Sequence, residues 1–453
     1  MKTNSRSRFR LLACLLALLL AVMPLQVFAD DVTTEDLPLL ISPAPSASLS
    51  AVDYYRAHKT LSDWWQVLAL TAAGVDVEAE GFVLPELNAE SVLSSGSSTV
   101  LAKAILSLSA IGQNPRLAFG DDVSCDPVRT LAALQQENGA FGSYLNEQIY
   151  AMIALECTDA SAYDRESALA YLCSCRLADG GFAYFGDTGD VDLTAMTLLA
   201  LQYFRGNEAA EAAISSAVQF LADSMTEAGT YPSLWEPGVE PSESISTAIS
   251  GLVAVGVDMT AEPFSKLPTK LAEYQTTDGG YAHALGVDLS DAYATYQALL
   301  AVSELQSGVS AYTSFAYDCS SAATIFTDAE WDDAQGAAFA TMYNEGLIVG
   351  RPSRVAAADE ALTVGELLVL LDRMTGETEN GADGVWYAGA SNRIGAKAGF
   401  DVEGLDVRAV VSASEFSTAV SGVLNATVTG EFADEAAVTR GEAVLFLASL
   451  LNR

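Results

Sequence analysis

Two aspartates, Asp190 and Asp192, have the type and spacing that best suit acid chemistry in this sequence. They lie two residues apart, before an apolar helical pattern that starts at Leu193. A carboxyl group acts as an acid only where its neighbours keep it protonated and aimed. The competing interpretation is structural, because an aspartate directly before a helix commonly accepts a hydrogen bond from the first turn. The pattern favours capping by Asp192 over catalysis.

Histidine and metal chemistry have little support. The chain contains only His58 and His283, far apart in sequence and with no cysteine close to His283. A catalytic zinc site with three protein ligands is therefore not expected. Two histidines also leave little basis for a Ser-His-Asp or Cys-His nucleophile, and no glycine-rich phosphate loop precedes a lysine. We expect no metal and no cofactor.

The charge and the N-terminus indicate an exported protein. The formal net charge of the 453 residues is −37, which disfavours nucleic acid as a partner because phosphate binding requires concentrated Lys and Arg. Residues 1–29 are basic, then apolar, and end in Val27-Phe28-Ala29, as expected for a cleaved signal peptide. Residues 30–50, rich in Pro, Ser and Ala, predict a flexible lead-in. No later apolar run reaches the roughly 18 residues of a membrane span.

Five cysteines follow the predicted signal peptide: Cys125, Cys157, Cys173, Cys175 and Cys319. An odd number excludes a fully paired disulfide framework. The spacing does not decide whether a single disulfide bridge forms. For most of the cysteines the favoured interpretation is that they are small buried hydrophobic residues.

The elements that must position the aspartates are repeated helical hairpins. Four turns join a glycine to an aromatic residue: Asn138-Gly139-Ala140-Phe141, Asp179-Gly180-Gly181-Phe182, Glu227-Ala228-Gly229-Thr230-Tyr231 and Asp278-Gly279-Gly280-Tyr281. Successive aromatic residues are 41, 49 and 50 positions apart. A single repeat cannot bury its own apolar faces, so the repeats must stack or close on one another. Adding the N-terminal helices predicts an all-α domain over residues 51–310 with about twelve helices, or six hairpins.

These turns resemble the repeat of the prenyltransferase and squalene-cyclase family. The resemblance implies an α/α toroid, with an inner and an outer ring of helices around a central cavity. Toroids that resemble cobalamin-binding carriers hold a ligand in that cavity without catalysis. The cavity candidates here are Tyr150, Met196, Tyr293 and Tyr296, although buried aromatics are more often simple core.

The same resemblance supplies a test for catalysis. Class II terpene cyclases of this family protonate an alkene with an Asp-x-Asp-Asp run. Here the run is Asp190-Val191-Asp192-Leu193, so Leu193 replaces the last aspartate. Asp190 and Asp192 therefore stay weak catalytic candidates, and the resemblance favours a toroid without enzymatic activity.

The C-terminal region, residues 319–453, resembles S-layer homology (SLH) modules, whose family binds secondary cell-wall polymers. The matching stretches include Ile325-Phe326-Thr327-Asp328 with Trp331, Leu362 to Leu368, Ser412 to Phe416, and Val438-Thr439-Arg440-Gly441-Glu442. The last contains the family's Thr-Arg-x-Glu element, whereas Val364 and Ala413 replace its arginine in the other two. An arginine can form a fork onto a carboxylate, and Val or Ala cannot. The resemblance implies wall-binding roles for Arg440, Glu442, Asp328 and Trp331.

Together these features predict an extracellular protein of the bacterial cell surface. A non-catalytic toroid would be anchored to secondary cell-wall polysaccharide by a degenerate SLH region. Two alternatives stay open: a terpene-cyclase-like or prenyltransferase-like enzyme, and a protein that captures a small hydrophobic or vitamin-like ligand of the cobalamin type.

Overall fold

The computed structural model of the protein describes residues 50–120, 122–329, 334–376, 385–428 and 436–451. The predicted signal peptide, residues 1–29, and all but the last residue of the predicted lead-in lie outside these ranges. The described residues form helices and isolated β-bridges, with no β-strand among them. They divide into two compact units, of which the first runs to Phe119 and from Asp126 to Asp318. The second consists of Gly120–Cys125 and the chain from Cys319 onward.

The first unit contains twelve α-helices among its described residues. In chain order they are α1 (Ala51–Ala57), α2 (Trp64–Ala72), α3 (Ala89–Leu93), α4 (Ser98–Ala110), α5 (Pro127–Ala132), α6 (Leu145–Thr158), α7 (Arg165–Ser174), α8 (Val191–Leu201), α9 (Glu208–Ser224), α10 (Ser242–Ala254), α11 (Leu267–Ala272) and α12 (Ala292–Ser307). Most begin at a residue whose side chain accepts a hydrogen bond from the first turn, which satisfies backbone donors that have no partner inside the helix.

The even-numbered helices form a closed ring. Helix α2 contacts α4, and the contacts continue through α6, α8 and α10 to α12, which contacts α2 again. The odd-numbered helices lie outside and pack on this ring; α9, for example, contacts α8, and α11 contacts both α10 and α12. The inner helices are buried almost all round, because they have neighbours on both sides. The predicted α/α toroid of six hairpins is confirmed.

The turn motif has the same local role in three of the hairpins. In each, the backbone N–H of the turn aromatic donates to the side chain of the fourth residue of the inner helix. The pairs are Phe141 with Gln148 at 2.9 Å, Phe182 with Thr194 at 2.8 Å, and Tyr281 with Thr295 at 2.9 Å. The motif therefore fixes where each inner helix begins.

Aromatic side chains occupy the middle of the ring. Tyr150 and Tyr296 are 1% and 2% exposed. The ring of Tyr150 lies 5.7 Å from that of Trp65, and its hydroxyl lies 3.7 Å from the Met196 sulfur. Side chains of the protein itself thus pack the space where the sequence predicted a ligand cavity around Tyr150 and Tyr296.

None of the five cysteines after the predicted signal peptide forms a disulfide among the described residues. Cys157 is buried, and its sulfur lies 2.9 Å from the hydroxyl of Tyr203. Its burial raises the pKa of the Cys157 thiol, so this residue behaves as a small core side chain.

The second unit is also helical and has its own core. Its helices are α13 (Ala322–Ile325), α14 (Ala334–Asn344), α15 (Val364–Met374), α16 (Ala388–Ile394), α17 (Ala413–Leu424) and α18 (Arg440–Leu451). Three of them begin with one capping arrangement, in which a hydroxyl residue and a glutamate three positions later bond to each other's backbone N–H. The pairs are Thr363 with Glu366, Ser412 with Glu415, and Thr439 with Glu442. Short β-bridges connect the segments before these helices.

We predict that Gly139→Ala destabilises the toroid by about 2 kcal/mol more than Gly206→Ala does. Both glycines have a left-handed backbone, with φ of 85° and 86°, so both variants carry the same conformational strain. A Cβ atom at Gly139 would lie 2.1 Å from the backbone oxygen of Ser167, whereas nothing lies within 4 Å of one at Gly206. Urea unfolding of both variants measures the difference; equal losses would show that the turn can move away from α7.

Candidate functional site

A small acidic cleft lies at the N-terminal ends of α8 and α10. Its volume is about 130 Å³. It is lined by Tyr184, Asp190, Asp192, Met196, Ser233, Trp235, Glu236, Pro241, Glu243, Thr247, His283 and Gln297. This set, called the acidic cleft below, contains four carboxyl groups, one histidine, and no lysine or arginine.

Asp190 is the residue that caps α8. Its Oδ1 accepts a hydrogen bond from the backbone N–H of Leu193 at 2.9 Å, and the helix begins at Val191. The expectation that Asp192 caps a helix starting at Leu193 is wrong by two positions. Asp291 caps α12 in the same way, after the equivalent turn. Helix capping by Asp190 is therefore a feature of the repeat. The other carboxylate oxygen of Asp190 accepts a hydrogen bond from Trp235 Nε1 at 3.2 Å.

Asp192 is the second residue of α8 and does not act as a cap. Its Oδ1 is fully buried and has no hydrogen-bond partner. Burial, and then the negative charge of Asp190, raise the pKa of the Asp192 carboxyl to about 7, while a hydrogen bond from Ser244 acts in the opposite direction. Taking a carboxylate out of water disfavours its charged form. Near neutral pH the Asp192 carboxyl is therefore protonated in a large fraction of the molecules.

His283 forms an ion-pair cluster on another wall of the cleft. Its Nδ1 lies 2.9 and 3.0 Å from the two carboxylate oxygens of Glu243, and its Nε2 lies 3.4 Å from Glu236. The hydrogen bond to Glu243 is the main reason that the pKa of His283 rises to about 9. The imidazole is therefore positively charged at neutral pH and compensates one of the carboxylates.

Aromatic side chains extend from the cleft onto the surface. The indole of Trp235 is 43% exposed, and the buried hydroxyl of Tyr184 has no hydrogen-bond partner. The ring of Phe185, which is 65% exposed, lies 6.4 Å from the Tyr184 ring and 5.8 Å from the Tyr144 ring. Tyr144, Tyr184 and Phe185 are called the aromatic strip below.

The structure distributes the predicted toroid residues over three environments. Asp190, Asp192 and Met196 line the acidic cleft. Tyr150 and Tyr296 lie in the core. Tyr293 is half-buried, with its ring 5.8 Å from that of Tyr296.

The sequence did not predict Tyr184, Trp235, Glu243 or His283 as part of this site. The repeat contained a signal for Glu243, since it is the second residue of α10 as Asp192 is of α8. Among the described residues, no group of three or more His, Cys, Asp and Glu side chains is placed to hold a metal ion.

A second depression, called the arginine groove below, lies within the C-terminal unit. Its volume is about 380 Å³. It is lined by Leu347, Ile348, Val349, Gly350, Arg351, Pro352, Leu362, Glu366, Val369, Leu370, Arg373, Trp386, Arg440 and Val444. Three arginines and a single carboxylate give this groove a local positive charge, in a chain whose formal net charge is −37.

Arg440 is held in the groove by internal contacts. Its side chain is 12% exposed, pairs with Glu366, and donates from Nε to the backbone oxygen of Ala356 at 2.9 Å. Arg351 also reaches Glu366, at 3.4 Å, and pairs with Glu360 outside the groove. Because two arginines share the carboxylate of Glu366, the groove keeps an excess of hydrogen-bond donors.

Trp386, in the same groove, is 61% exposed. Its large apolar surface next to arginines is typical of a site that binds a polar ring. The sequence places Trp386-Tyr387 at the start of the SLH-like fragment that continues to Ser412, but it did not predict a binding role for Trp386. Arg351 and Arg373 were not predicted, because they lie outside the Thr-Arg-x-Glu element.

The other predicted wall-binding residues have structural contacts where they are described. The Asp328 carboxylate accepts from the backbone N–H groups of Ala356 and Ala357, at 2.6 and 2.8 Å. Glu442 accepts from the backbone N–H of Thr439 at 2.8 Å, as part of the cap of α18. Trp331 lies outside the described residues. The same holds for Phe432-Ala433-Asp434, which precedes the Thr-Arg-x-Glu element in the SLH-like pattern.

Comparisons with known proteins give a structural likeness only. No protein-family model matches the chain, and no curated protein matches it. One similar solved structure is ent-copalyl diphosphate synthase from Streptomyces platensis, with 16% sequence identity and a TM-score of 0.37. The match covers 57% of this chain and 51% of that one, so it spans about half of the synthase. None of the helices in the described ranges is both long and apolar enough to cross a bilayer.

Proposed function

We propose that this is an exported bacterial surface protein, held at the cell wall by its C-terminal unit. The observation that carries the proposal is the arginine groove, where Arg351, Arg373 and Arg440 lie beside the exposed indole of Trp386. Guanidinium groups bind carboxylates through paired hydrogen bonds, and an aromatic face packs against a sugar ring. An acidic saccharide of a secondary cell-wall polymer offers both features.

Two features of the sequence support the same location. The Thr439-Arg440-Gly441-Glu442 element resembles that of SLH modules, and residues 1–29 have the pattern of a signal peptide. The three repeated caps of the second unit agree with a module built from three related segments.

In this proposal the toroid is a non-catalytic binding module. Within its ring Trp65, Tyr150 and Tyr296 are at most 2% exposed, so these side chains pack against the protein itself and do not line an open cavity. A captured vitamin of cobalamin size would also exceed the acidic cleft, since sites for such ligands usually measure roughly 300–1,000 Å³. The buried carboxyl of Asp192, whose pKa is raised to about 7, is the observation that favours the enzyme alternative, with Asp192 as an acid.

We expect Arg440→Ala to weaken binding of the full chain to purified cell walls by about tenfold or more, the effect of losing one charge-assisted contact of roughly 1.5–3 kcal/mol. Trp386→Ala should weaken it as well, and because this side chain is exposed its removal should leave the fold intact. Co-sedimentation with walls, measured over a range of protein concentrations, gives the affinities.

The matched control is Arg408→Ala, which removes one positive charge from an exposed position outside the groove. If Arg408→Ala and Arg440→Ala lost the same amount of affinity for cell walls, the loss would come from the change in net charge and not from the groove. Absence of binding by the unaltered chain would refute wall anchoring.

A further inference from the structure

We propose that the acidic cleft binds a primary ammonium group, carried at the end of a molecule whose body lies along the aromatic strip. The inference rests on the part of the proposed function that makes the toroid a binding module. It does not depend on wall anchoring by the second unit.

The charge of the cleft selects a cation. Four carboxyl groups line it and His283 is its one basic side chain, which pairs mainly with Glu243. Asp190 is neutralised in part by the first turn of α8 and by Trp235. Asp192 and Glu236 have no basic partner of their own beyond the shared imidazole. A cation that enters the cleft therefore compensates the negative charge of Asp190 and Glu236, and it favours the ionised form of Asp192 over the protonated form.

The hydrogen-bonding groups select an ammonium ion. The buried Oδ1 of Asp192 lacks a donor, and the buried hydroxyl of Tyr184 lacks a partner. Both residues line the cleft. An unsatisfied buried polar atom is costly, so the ligand should supply donors here. An ammonium group carries three donors and no acceptor, which matches a site rich in carboxylate oxygens.

The size of the cleft limits what enters it. Its volume of about 130 Å³ corresponds to only a few water molecules, each of which occupies roughly 30 Å³ in the liquid. An aminomethyl or aminoalkyl end group fits, whereas a nucleotide is too large, and the carboxylates of the cleft repel a diphosphate. Trp235 lines the cleft with its indole partly exposed, and the exposed ring of Phe185 lies beside Tyr184 of the lining. Both rings can pack against a chain or a sugar ring, and the indole can attract the cation.

Two matched pairs of probes test the proposal: 1,5-diaminopentane against 1,5-pentanediol, and glucosamine against glucose. Each pair keeps the body of the molecule and removes the positive charge. We expect calorimetric titration of the full chain to give a Kd of about 1 mM or tighter for an ammonium probe, and at least tenfold weaker binding for its neutral partner. Whichever amine binds more tightly, 1,5-diaminopentane or glucosamine, shows whether the ammonium group is carried by an alkyl chain or by an amino sugar.

Asp192→Asn should weaken binding of the ammonium probe at least fivefold. Asp187→Asn, which removes the same charge from an exposed position of the same turn, should change it less than twofold. Trp235→Ala is a second test at an exposed side chain, in case Asp192→Asn alters the fold.

Three results would overturn the assignment: equal binding of charged and neutral probes, unaltered binding by both cleft variants, or no saturable binding of either amine. Wall co-sedimentation of Asp192→Asn should stay unchanged. The ammonium site and the wall anchor can therefore fail independently.

Discussion

Arg116→Met is expected to lower the free energy of unfolding of the toroid by roughly 3–5 kcal/mol, the cost of breaking a buried ion pair from one side. The guanidinium of Arg116 is fully buried. Its Nη1 donates to Asp126 at 2.8 Å and its Nη2 to Asp159 at 2.7 Å, and both carboxylates are also fully buried. Methionine keeps much of the volume but leaves two negative charges in the interior without their cation.

The position of these residues explains why the effect should reach the whole ring. Asp126 caps α5, and Asp159 lies at the C-terminal end of α6. Arg116 follows α4 and joins both ends. Loss of its side chain thus disturbs the packing of consecutive hairpins.

Arg56→Met is the matched control, because Arg56 pairs with Glu80 at 2.7 Å with 47% of its side chain exposed. Exposed pairs contribute roughly 0–1 kcal/mol, so this variant should unfold almost as the unaltered chain does. Chemical unfolding followed by circular dichroism measures both variants. A loss of less than about 1 kcal/mol for Arg116→Met would mean that water reaches the two carboxylates.

The free energy of unfolding should fall by roughly 3 kcal/mol between about pH 4.5 and pH 6.5 because of Asp192, and Asp192→Asn is expected to remove this fall. The Asp192 carboxyl has an ordinary pKa of 3.8 and a pKa of about 7 in the folded protein, because of burial and the charge of Asp190. As the pH rises through this window, the unfolded chain releases the proton while the folded protein keeps it. The free energy of unfolding therefore falls with rising pH, and above about pH 7 the cost is complete.

The pH range of the effect distinguishes the titration of Asp192 from that of His283 in the same cleft. The pKa of His283 rises from 6.5 to about 9, so its contribution to stability is complete below pH 6.5 and is lost only as the pH rises through 9. The buried carboxyl of Glu304, whose pKa is also raised to about 7, contributes a loss in the same window to both proteins. The difference between Asp192→Asn and the unaltered chain therefore removes the contribution of Glu304 and reports the titration of the adjacent Asp190 and Asp192 carboxyls.

Denaturant unfolding of both proteins at several pH values provides the measurement. The two stability curves should converge toward pH 4 and separate toward pH 7, with Asp192→Asn the more stable protein at the higher pH. Parallel curves would show that Asp192 titrates as an ordinary exposed carboxyl.

The fold was largely determined by local sequence signals. The spacing of Phe141, Phe182, Tyr231 and Tyr281 predicted the hairpins, because the glycine two positions before each aromatic has a left-handed backbone and so marks a turn. The helical period on either side predicted the inner and outer helices. Helix ends were less accurate: the helix predicted to start at Leu193 begins at Val191, since two aspartates close together offer two plausible caps.

The two sites depended on contacts that sequence spacing does not encode. Asp192 meets Glu243 and His283 only because the ring places the starts of α8 and α10 side by side, and the turn before α12 supplies the histidine. Arg440 was predicted from its motif, but the neighbouring Arg351 and Arg373 were not, since their elements meet only in the folded unit.

The sequence by itself determined the repeat, the helices and the caps, because these depend on residues within a few positions of one another. Tertiary structure alone decided which carboxylates are buried, which arginines converge and whether the ring is hollow. Burial and charge act through space: the same aspartate is an ordinary acid in water and, as Asp192, a carboxyl with a pKa of about 7 in the packed ring.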